Sequence, residues 1–161
     1  MLETKRLYLR ECVEEDLERF YEIYSDETVS RYNKNLSSDR DEELEIMRAY
    51  KRMYEFYGYG MWTVCLKQND MVIGRAGLEN YEMDGENALQ LGYVIDKNFR
   101  KKGYAYEICS AICAYAQQYI YVDKILCIIH RENKASIKLA EKLRFILVNQ
   151  TENMYMLKLE I

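Results

Sequence analysis

The sequence of 161 residues contains no proline, one tryptophan and a single histidine, His130. One imidazole cannot build a histidine-based metal site, and no C-x-x-C pair is present, so we expect no metal. The five cysteines are odd in number, which favours reduced, buried side chains over a disulfide framework. No apolar run approaches the roughly 18 residues of a membrane span, and the N-terminus lacks an apolar signal region. We therefore expect a cytoplasmic protein without a membrane partner.

The chain also lacks a basic excess. Its 23 lysines and arginines are outnumbered by 27 aspartates and glutamates, giving a formal net charge of −4. A general nucleic-acid binder usually has the opposite imbalance, so no nucleic-acid partner is expected. The length and the absence of a linker or repeat predict a single domain over 1–161, as a monomer or homodimer.

Hydrophobic periodicity predicts an α/β fold with a mixed sheet. Helical patterns start near Glu14, follow the polar segment 33–38 with Asp39 as a cap, and cover two later segments, 104–119 and 134–143. Strand-like patterns cover the segments 6–12, 61–66, 71–78, 88–95, 124–130, 145–148 and 154–159. Turn residues between the three central strands predict an antiparallel meander. The helix between 88–95 and 124–130 makes those two strands parallel within an otherwise antiparallel sheet.

A cationic loop precedes the helix 104–119. Four of the six residues from Lys97 to Lys102 are cationic, and Gly103 follows them. The first N–H groups of a helix lack partners and form its positive end, so cations there favour an anionic ligand. Glycine permits close approach to the backbone, and a phosphate or pyrophosphate is the expected ligand. Charge and glycine alone fit a solvated charge run equally well, and the Rossmann and P-loop patterns are absent.

The segment from Arg100 to Ala105 resembles the Gln/Arg-x-x-Gly-x-Gly/Ala motif of the GNAT superfamily of acyl-CoA-dependent N-acyltransferases. The resemblance extends in order over nearly the whole chain, including Ile73-Gly74, the strand 91–95, and Asn133-x-x-Ser136 before the last helix. The strand 6–10 resembles the opening strand of the ribosomal-protein N-terminal acetyltransferase (RimJ/RimL-like) branch. The resemblance implies a GNAT-like sheet splayed at its parallel pair and flanked by helices. It also implies acetyl-CoA as acyl donor, and an amine of a small molecule or protein N-terminus as acceptor.

The resemblance further implies roles for individual residues. Backbone groups of Tyr93, Val94 and Ile95 would pair with the pantetheine arm, which requires a splayed sheet and a bulge near Gly92 to Tyr93. Asn133 would contact the same arm, a role compatible with capping the last helix. Backbone N–H groups would bind the pyrophosphate, with charge added by Arg100 and Lys102, in the segment Lys101, Lys102, Gly103, Tyr104 and Ala105.

The sequence departs from the family pattern at several positions. Gln90 stands where a glutamate general base is frequent, and Ala140 where many members have a tyrosine acid. Arg144 replaces the glycine that usually ends the last helix, so a left-handed cap is expected to be strained or absent. Lys97-Asn98 stands where a proline often precedes the motif.

These departures leave the proton chemistry open. Glu79, expected at a strand end, is the first candidate base or else a surface charge, and Glu82 and Glu86 are weaker candidates. Ser136 is the candidate acid for the coenzyme A thiolate, or else a residue of the first helical turn.

The same departures bear on the acceptor. Supplying the neutral form of a lysine-type amine at pH 7 costs roughly 4–5 kcal/mol, against about 1 kcal/mol for an α-amine. This favours α-amines as acceptors. The alternative is a protein of the same fold that binds coenzyme A as a sensor or partner module and has lost turnover.

Overall fold

The computed structural model describes residues 2–32, 39–83 and 85–161, with all side chains in those ranges except Met83 and Glu86. The predicted polar segment 33–38, Asp84 of the predicted turn and the side chain of the candidate Glu86 lie outside the described part. The strands are β1 Leu2–Glu3, β2 Leu7–Arg10, β3 Met61–Leu66, β4 Val72–Met83, β5 Glu86–Ile95, β6 Lys124–His130, β7 Ile146–Gln150 and β8 Met154–Glu160. The α-helices are α1 Leu17–Tyr24, α2 Glu27–Ser30, α3 Arg40–Tyr57, α4 Tyr104–Tyr119 and α5 Lys134–Lys142.

The strands form one mixed sheet, which confirms the predicted fold class. Their order is β1-β2-β3-β4-β5-β6-β8-β7, and β3, β4 and β5 form the predicted antiparallel meander. Only β5 and β6 are parallel neighbours among the described strands, and α4 connects them. The crossover helix therefore fixes the parallel pair, as the chain order requires.

The sheet is splayed between β5 and β6. These strands pair only at Leu89 with Ile125 and at Gln90 with Leu126. The predicted bulge near Gly92 is not the cause, because β5 pairs with β4 residue for residue and without a shift of register. Instead β6 stays paired with β8 along its whole length while β5 stays with β4, so the two halves of the twisted sheet separate.

Helices cover both faces of the sheet. The buried face of α4 includes Ile108 and Ile112 and belongs to the larger apolar cluster, together with Leu91 of β5. Phe20 of α1 and Met47 of α3 form a second cluster with Val94 of β5. The alternation of side chains along β5 thus places the splayed end of this strand between two packed layers. All five cysteines are buried and free.

The central strand β4 is longer than predicted. The pattern indicated a strand over 71–78, with Glu79 at its end, whereas β4 continues to Met83 because β5 pairs with it throughout. Glu79 is therefore an interior strand residue, and its expected place at a strand end is wrong. It lies directly opposite Gln90 of β5.

Candidate active site

An open cleft lies where β5 and β6 separate. Its empty space, counted together with the part that is open to solvent, is about 570 Å³. The walls come from β5, β6 and α5, and include the candidates Tyr93, Asn133 and Ser136. Gln90 and Ala140, the two departures from the family pattern, line the same cleft. The fold thus brings together sites that are up to 50 residues apart in the sequence.

The backbone of β5 is directed into this cleft at alternate residues. The N–H of Asp96 donates to the carbonyl of Ile73 at 2.8 Å, so the backbone groups of Val94 point to β4. Those of Tyr93 and Ile95 point the opposite way, towards β6. The Ile95 carbonyl already accepts a hydrogen bond from Nε of Arg100 at 2.9 Å. Tyr93 is therefore the β5 residue best placed to pair with an extended ligand.

The glycine loop ends at the first turn of α4. Gly103 is the N-cap residue with φ 83°, a left-handed conformation that favours glycine, and α4 begins at Tyr104 as predicted. Lys101 is also left-handed, with φ 60°. The loop backbone and the α4 N-terminus, including Ala105, thus form a cradle whose N–H groups suit a phosphate.

The four cations of the loop divide into two kinds. Lys97 forms an ion pair with Asp26, and this contact is the main cause that lowers the pKa of the Asp26 carboxyl to about 2. Arg100 donates to Ile95 and, at 3.3 Å and 3.2 Å, to the carbonyl and hydroxyl oxygens of Thr28. Lys101 and Lys102 are exposed, and neither forms an ion pair within the described residues. The latter two are the charges most available to a ligand.

The side chains of Tyr93 and Ser136 meet inside the cleft. Their hydroxyl oxygens are 2.8 Å apart, and Ser136 is held by α5, whose N-cap Asn133 accepts from the Ser136 N–H at 3.2 Å. Burial raises the pKa of the Tyr93 hydroxyl, so this group keeps its proton at neutral and alkaline pH. Sequence reasoning assigned only the backbone of Tyr93. Its hydroxyl is a proton donor in the region where Ala140 provides none.

Glu79 lies on the face of the sheet that is covered by α3. The hydroxyl of Tyr50 donates to Glu79 Oε1 at 3.1 Å, and the side chain is half-buried. Glu79 and Gln90 are a directly opposed cross-strand pair, so their side chains share one face. Glu82 lies further along β4 and is exposed. Of the two candidate bases with described side chains, Glu79 is the one beside a cleft residue.

A family model for the acetyltransferase (GNAT) domain matches residues 6–146. The chain belongs to the GNAT acetyltransferase family. It is 28% identical over 141 residues to the uncharacterized N-acetyltransferase YnaD of Bacillus subtilis, covering 87% of this chain and 79% of YnaD.

Solved structures share the same GNAT fold. A GNAT-family acetyltransferase from Bacillus anthracis superposes with a TM-score of 0.84 at 20% identity, covering 99% of this chain and 97% of that one. The ribosomal L7/L12 α-N-protein acetyltransferase RimL, in complex with coenzyme A, superposes with a TM-score of 0.81 at 16% identity, covering 98% of this chain and 96% of that one.

In this GNAT protein the glycine loop is fixed by a residue that sequence reasoning did not assign. Nη1 of Arg6 donates to the Lys102 carbonyl at 2.9 Å, and its Nε pairs with Glu107 at 2.7 Å. The Arg6 guanidinium also lies 4.3 Å from the centre of the Tyr104 ring. The signal available was the resemblance of the opening strand, which includes Arg6, to one branch of the family. Its long-range contact with α4 has no local signature.

Two further residues of this chain, at the end of α5 and at the end of β6, bear on the site. Arg144 has φ 69°, and the N–H of Phe145 bonds to the Ala140 carbonyl at 3.0 Å, so the left-handed cap is present and strained. His130 lines the cleft, with its ring 5.4 Å from that of Tyr32.

The described residues contain no group of three or more side chains suited to a metal ion. No described helix is long and apolar enough to cross a membrane.

Proposed function

We propose that this GNAT protein transfers the acetyl group of acetyl-CoA directly to a primary amine, and that 1–161 acts as one acyltransferase domain. The observation that carries the proposal is that β5, which lines the cleft at Tyr93, is followed in the chain by the glycine loop and the N-terminus of α4. The loop offers N–H groups to a pyrophosphate, and the β5 backbone offers a strand edge to the pantetheine arm.

Each residue group has a distinct task in the proposed reaction. Lys101 and Lys102 add positive charge beside the pyrophosphate, and the backbone of Tyr93 orients the pantetheine arm. Glu79 accepts the proton that the amine loses as its nitrogen attacks the thioester carbon, directly or through water. The carbon–sulfur bond breaks, and the departing sulfur takes a proton from Tyr93, which Ser136 positions. No covalent enzyme intermediate is needed.

The acceptor that we propose is an α-amine of a peptide or small molecule. Gln90 cannot take a proton, which leaves Glu79 as the proposed base. A site with a single base favours the amine whose deprotonation costs the least free energy. RimL and the ribosomal-protein-S5-alanine acetyltransferase of Vibrio fischeri, which is 13% identical with a TM-score of 0.83, have names that specify protein substrates. The same acceptor class, in the RimJ/RimL-like branch, is part of the proposal for this chain.

The cofactor site is tested by substituting Gly103 with glutamate. We expect acetyl-CoA to raise the melting temperature of the parent protein by mass action, and Gly103→Glu to abolish that shift. Gly58→Glu is the matched control. Gly58 is also left-handed, with φ 73°, but it follows the C-terminal end of a different helix, α3. This substitution introduces the same charge and the same backbone strain away from the cleft. If acetyl-CoA raised the melting temperature of Gly103→Glu as much as that of the parent, the cofactor site would not be at the glycine loop.

The sensor alternative makes a different prediction for the same protein. The positions of Gln90 and Ala140 in the cleft favour it, because neither side chain can transfer a proton. A sensor would show the acetyl-CoA thermal shift without release of coenzyme A thiol in the presence of amines. Thiol release that depends on an added α-amine would exclude the sensor.

A further inference from the structure

A second pocket lies between α3 and β4, beside the cleft. Its empty space, counted together with the part that is open to solvent, is about 700 Å³. Charged and apolar side chains line it, among them Glu43, Ile46, Ala49, Met53, Arg75 and Glu79. Glu79 is the residue opposite Gln90, which lines the cleft. The pocket therefore begins beside the proposed site of deprotonation and extends along β4 to Arg75, which lies opposite Val94 of β5.

The inner end of this pocket contains a buried ion pair with incomplete hydrogen bonding. Nη2 of Arg75 is 2.5 Å from Oε1 of Glu43, and both side chains are 2% exposed. Glu43 Oε2 and Arg75 Nε have no hydrogen-bond partner within the described residues. A buried polar atom without a partner destabilises the fold, and the penalty is larger when the group is charged. Glu43 lines the pocket, so a ligand group that donates a hydrogen bond to this oxygen would remove that penalty.

The charge of the pocket favours a cationic ligand. Glu43 and Glu79 supply two carboxylates, against the single guanidinium of Arg75. That guanidinium is enclosed, since it lies 4.0 Å from the centre of the Phe20 ring and 5.1 Å from that of Tyr50. One additional positive charge would balance the pocket, and Ile46, Ala49 and Met53 provide an apolar wall for the methylene groups that carry it.

We propose that this pocket selects acceptors with two amino groups, an α-amine that is acetylated beside Glu79 and a second, protonated amine that donates to Oε2 of Glu43. The inference rests on the proposed acetyl transfer and adds the substrate class. It is consistent with the α-amine preference, because the second amine remains an ammonium ion at neutral pH while the α-amine is partly neutral. Tyr50 holds the Glu79 carboxylate at the entrance of the pocket.

The test compares lysinamide with norleucinamide, which has the same carbon chain but no side-chain ammonium. We expect kcat/KM for lysinamide to exceed that for norleucinamide by about tenfold or more, because the second compound leaves Oε2 of Glu43 without a donor. Ala49→Trp, which fills the pocket without changing its charges, should remove this preference. Lys51→Trp, which places the same bulk on the exposed side of α3 and outside the pocket, should keep it, and acetyl-CoA binding should be the same in all three proteins.

Calorimetric titration of the coenzyme A complex with each amide tests the pocket independently of turnover. Tighter binding of lysinamide that is lost in Ala49→Trp and kept in Lys51→Trp supports the proposal even without acetylation. Equal kcat/KM and equal affinity for the two amides, or a preference that persists in Ala49→Trp, would overturn it. Failure of the proposed acetyl transfer has a different signature, because acetyl-CoA would then give no thiol release with either amide.

Discussion

Glu79 is a half-buried carboxylate with a fixed hydrogen bond to Tyr50, and its chemistry can be changed without changing its shape. Glu79→Gln keeps an acceptor oxygen for the Tyr50 hydroxyl but cannot take a proton. We expect kcat to fall by roughly 10²–10⁴-fold, with the affinity for acetyl-CoA unchanged. The measurement is steady-state kinetics with an α-amine acceptor, alongside a thermal shift with acetyl-CoA.

Glu82→Gln is the matched control for that substitution. Glu82 lies on the same strand three residues further along, so its side chain points to the opposite face, and it is exposed. The control should retain parent kinetics. Parent kinetics in Glu79→Gln would identify Glu79 as a structural charge.

The hydroxyl of Tyr93 can be tested in the same way. Tyr93→Phe removes the proton donor and leaves the ring in place, so we expect kcat to fall by about 10–10²-fold with little change in acetyl-CoA affinity. Because burial raises the pKa of this hydroxyl, activity of the parent should not fall between pH 7 and 9 through ionisation of Tyr93. Ser136→Ala should cost less, and adding it to Tyr93→Phe should cost little more, since the two hydroxyls act as one unit. Independent, multiplicative losses would argue against a shared role.

At the scale of residues, the sequence predicted which residues line the cleft better than it predicted which residues transfer protons there. Asn133 and Ser136 were recognisable as a pair because they match the family's Asn-x-x-Ser pattern, and both line the cleft. The contact of Arg6 with the Lys102 carbonyl joins residues 96 positions apart, and no local pattern encodes it. The hydroxyl of Tyr93 was missed for a similar reason, because its partner lies on another element.

Among the elements, α5 ends in a strained cap that a single substitution can relax. Arg144 occupies the left-handed position of this cap, where a side chain costs roughly 1–2 kcal/mol and glycine costs little. Arg144→Gly should therefore raise the free energy of unfolding by about 1 kcal/mol, once the greater entropy of the unfolded glycine is included. Arg144→Ala is the control, since it removes the charge and keeps the strain. Equal stability of the two variants in urea unfolding would contradict this account.

The elements that were predicted most closely are those with strong internal periodicity. The bounds of α4, β3 and β6 agree with the prediction, because apolar residues recur along their full length. The short elements β1 and α2 have two and four residues, too few to establish a period. The far half of β4 contains several polar residues, and it is a strand because β5 pairs with it.

At the scale of the whole molecule, the chain order was sufficient to predict the parallel pair and the family resemblance implied the splay, but neither predicted how the sheet opens. The crossover helix α4 determines that β5 and β6 run parallel. Their separation depends on β6 following β8, which comes later in the chain and is paired along the whole of β6. A prediction based on the residues near Gly92 could not include that partner, and it placed the cause in a bulge that is not there.

Because all five cysteines are buried, the folded molecule should react very slowly with thiol reagents. Burial raises the pKa of each thiol, to about 12 for Cys113, so the reactive thiolate is scarce as well as inaccessible. In an aromatic disulfide assay we expect almost no modification of the native protein during turnover, and five modified thiols per chain after denaturation. Rapid native labelling would contradict this expectation. In the proposed reaction coenzyme A is the product with a free thiol, so its release can be followed continuously with the same reagent. The slow labelling of the protein that remains reports how often the fold opens.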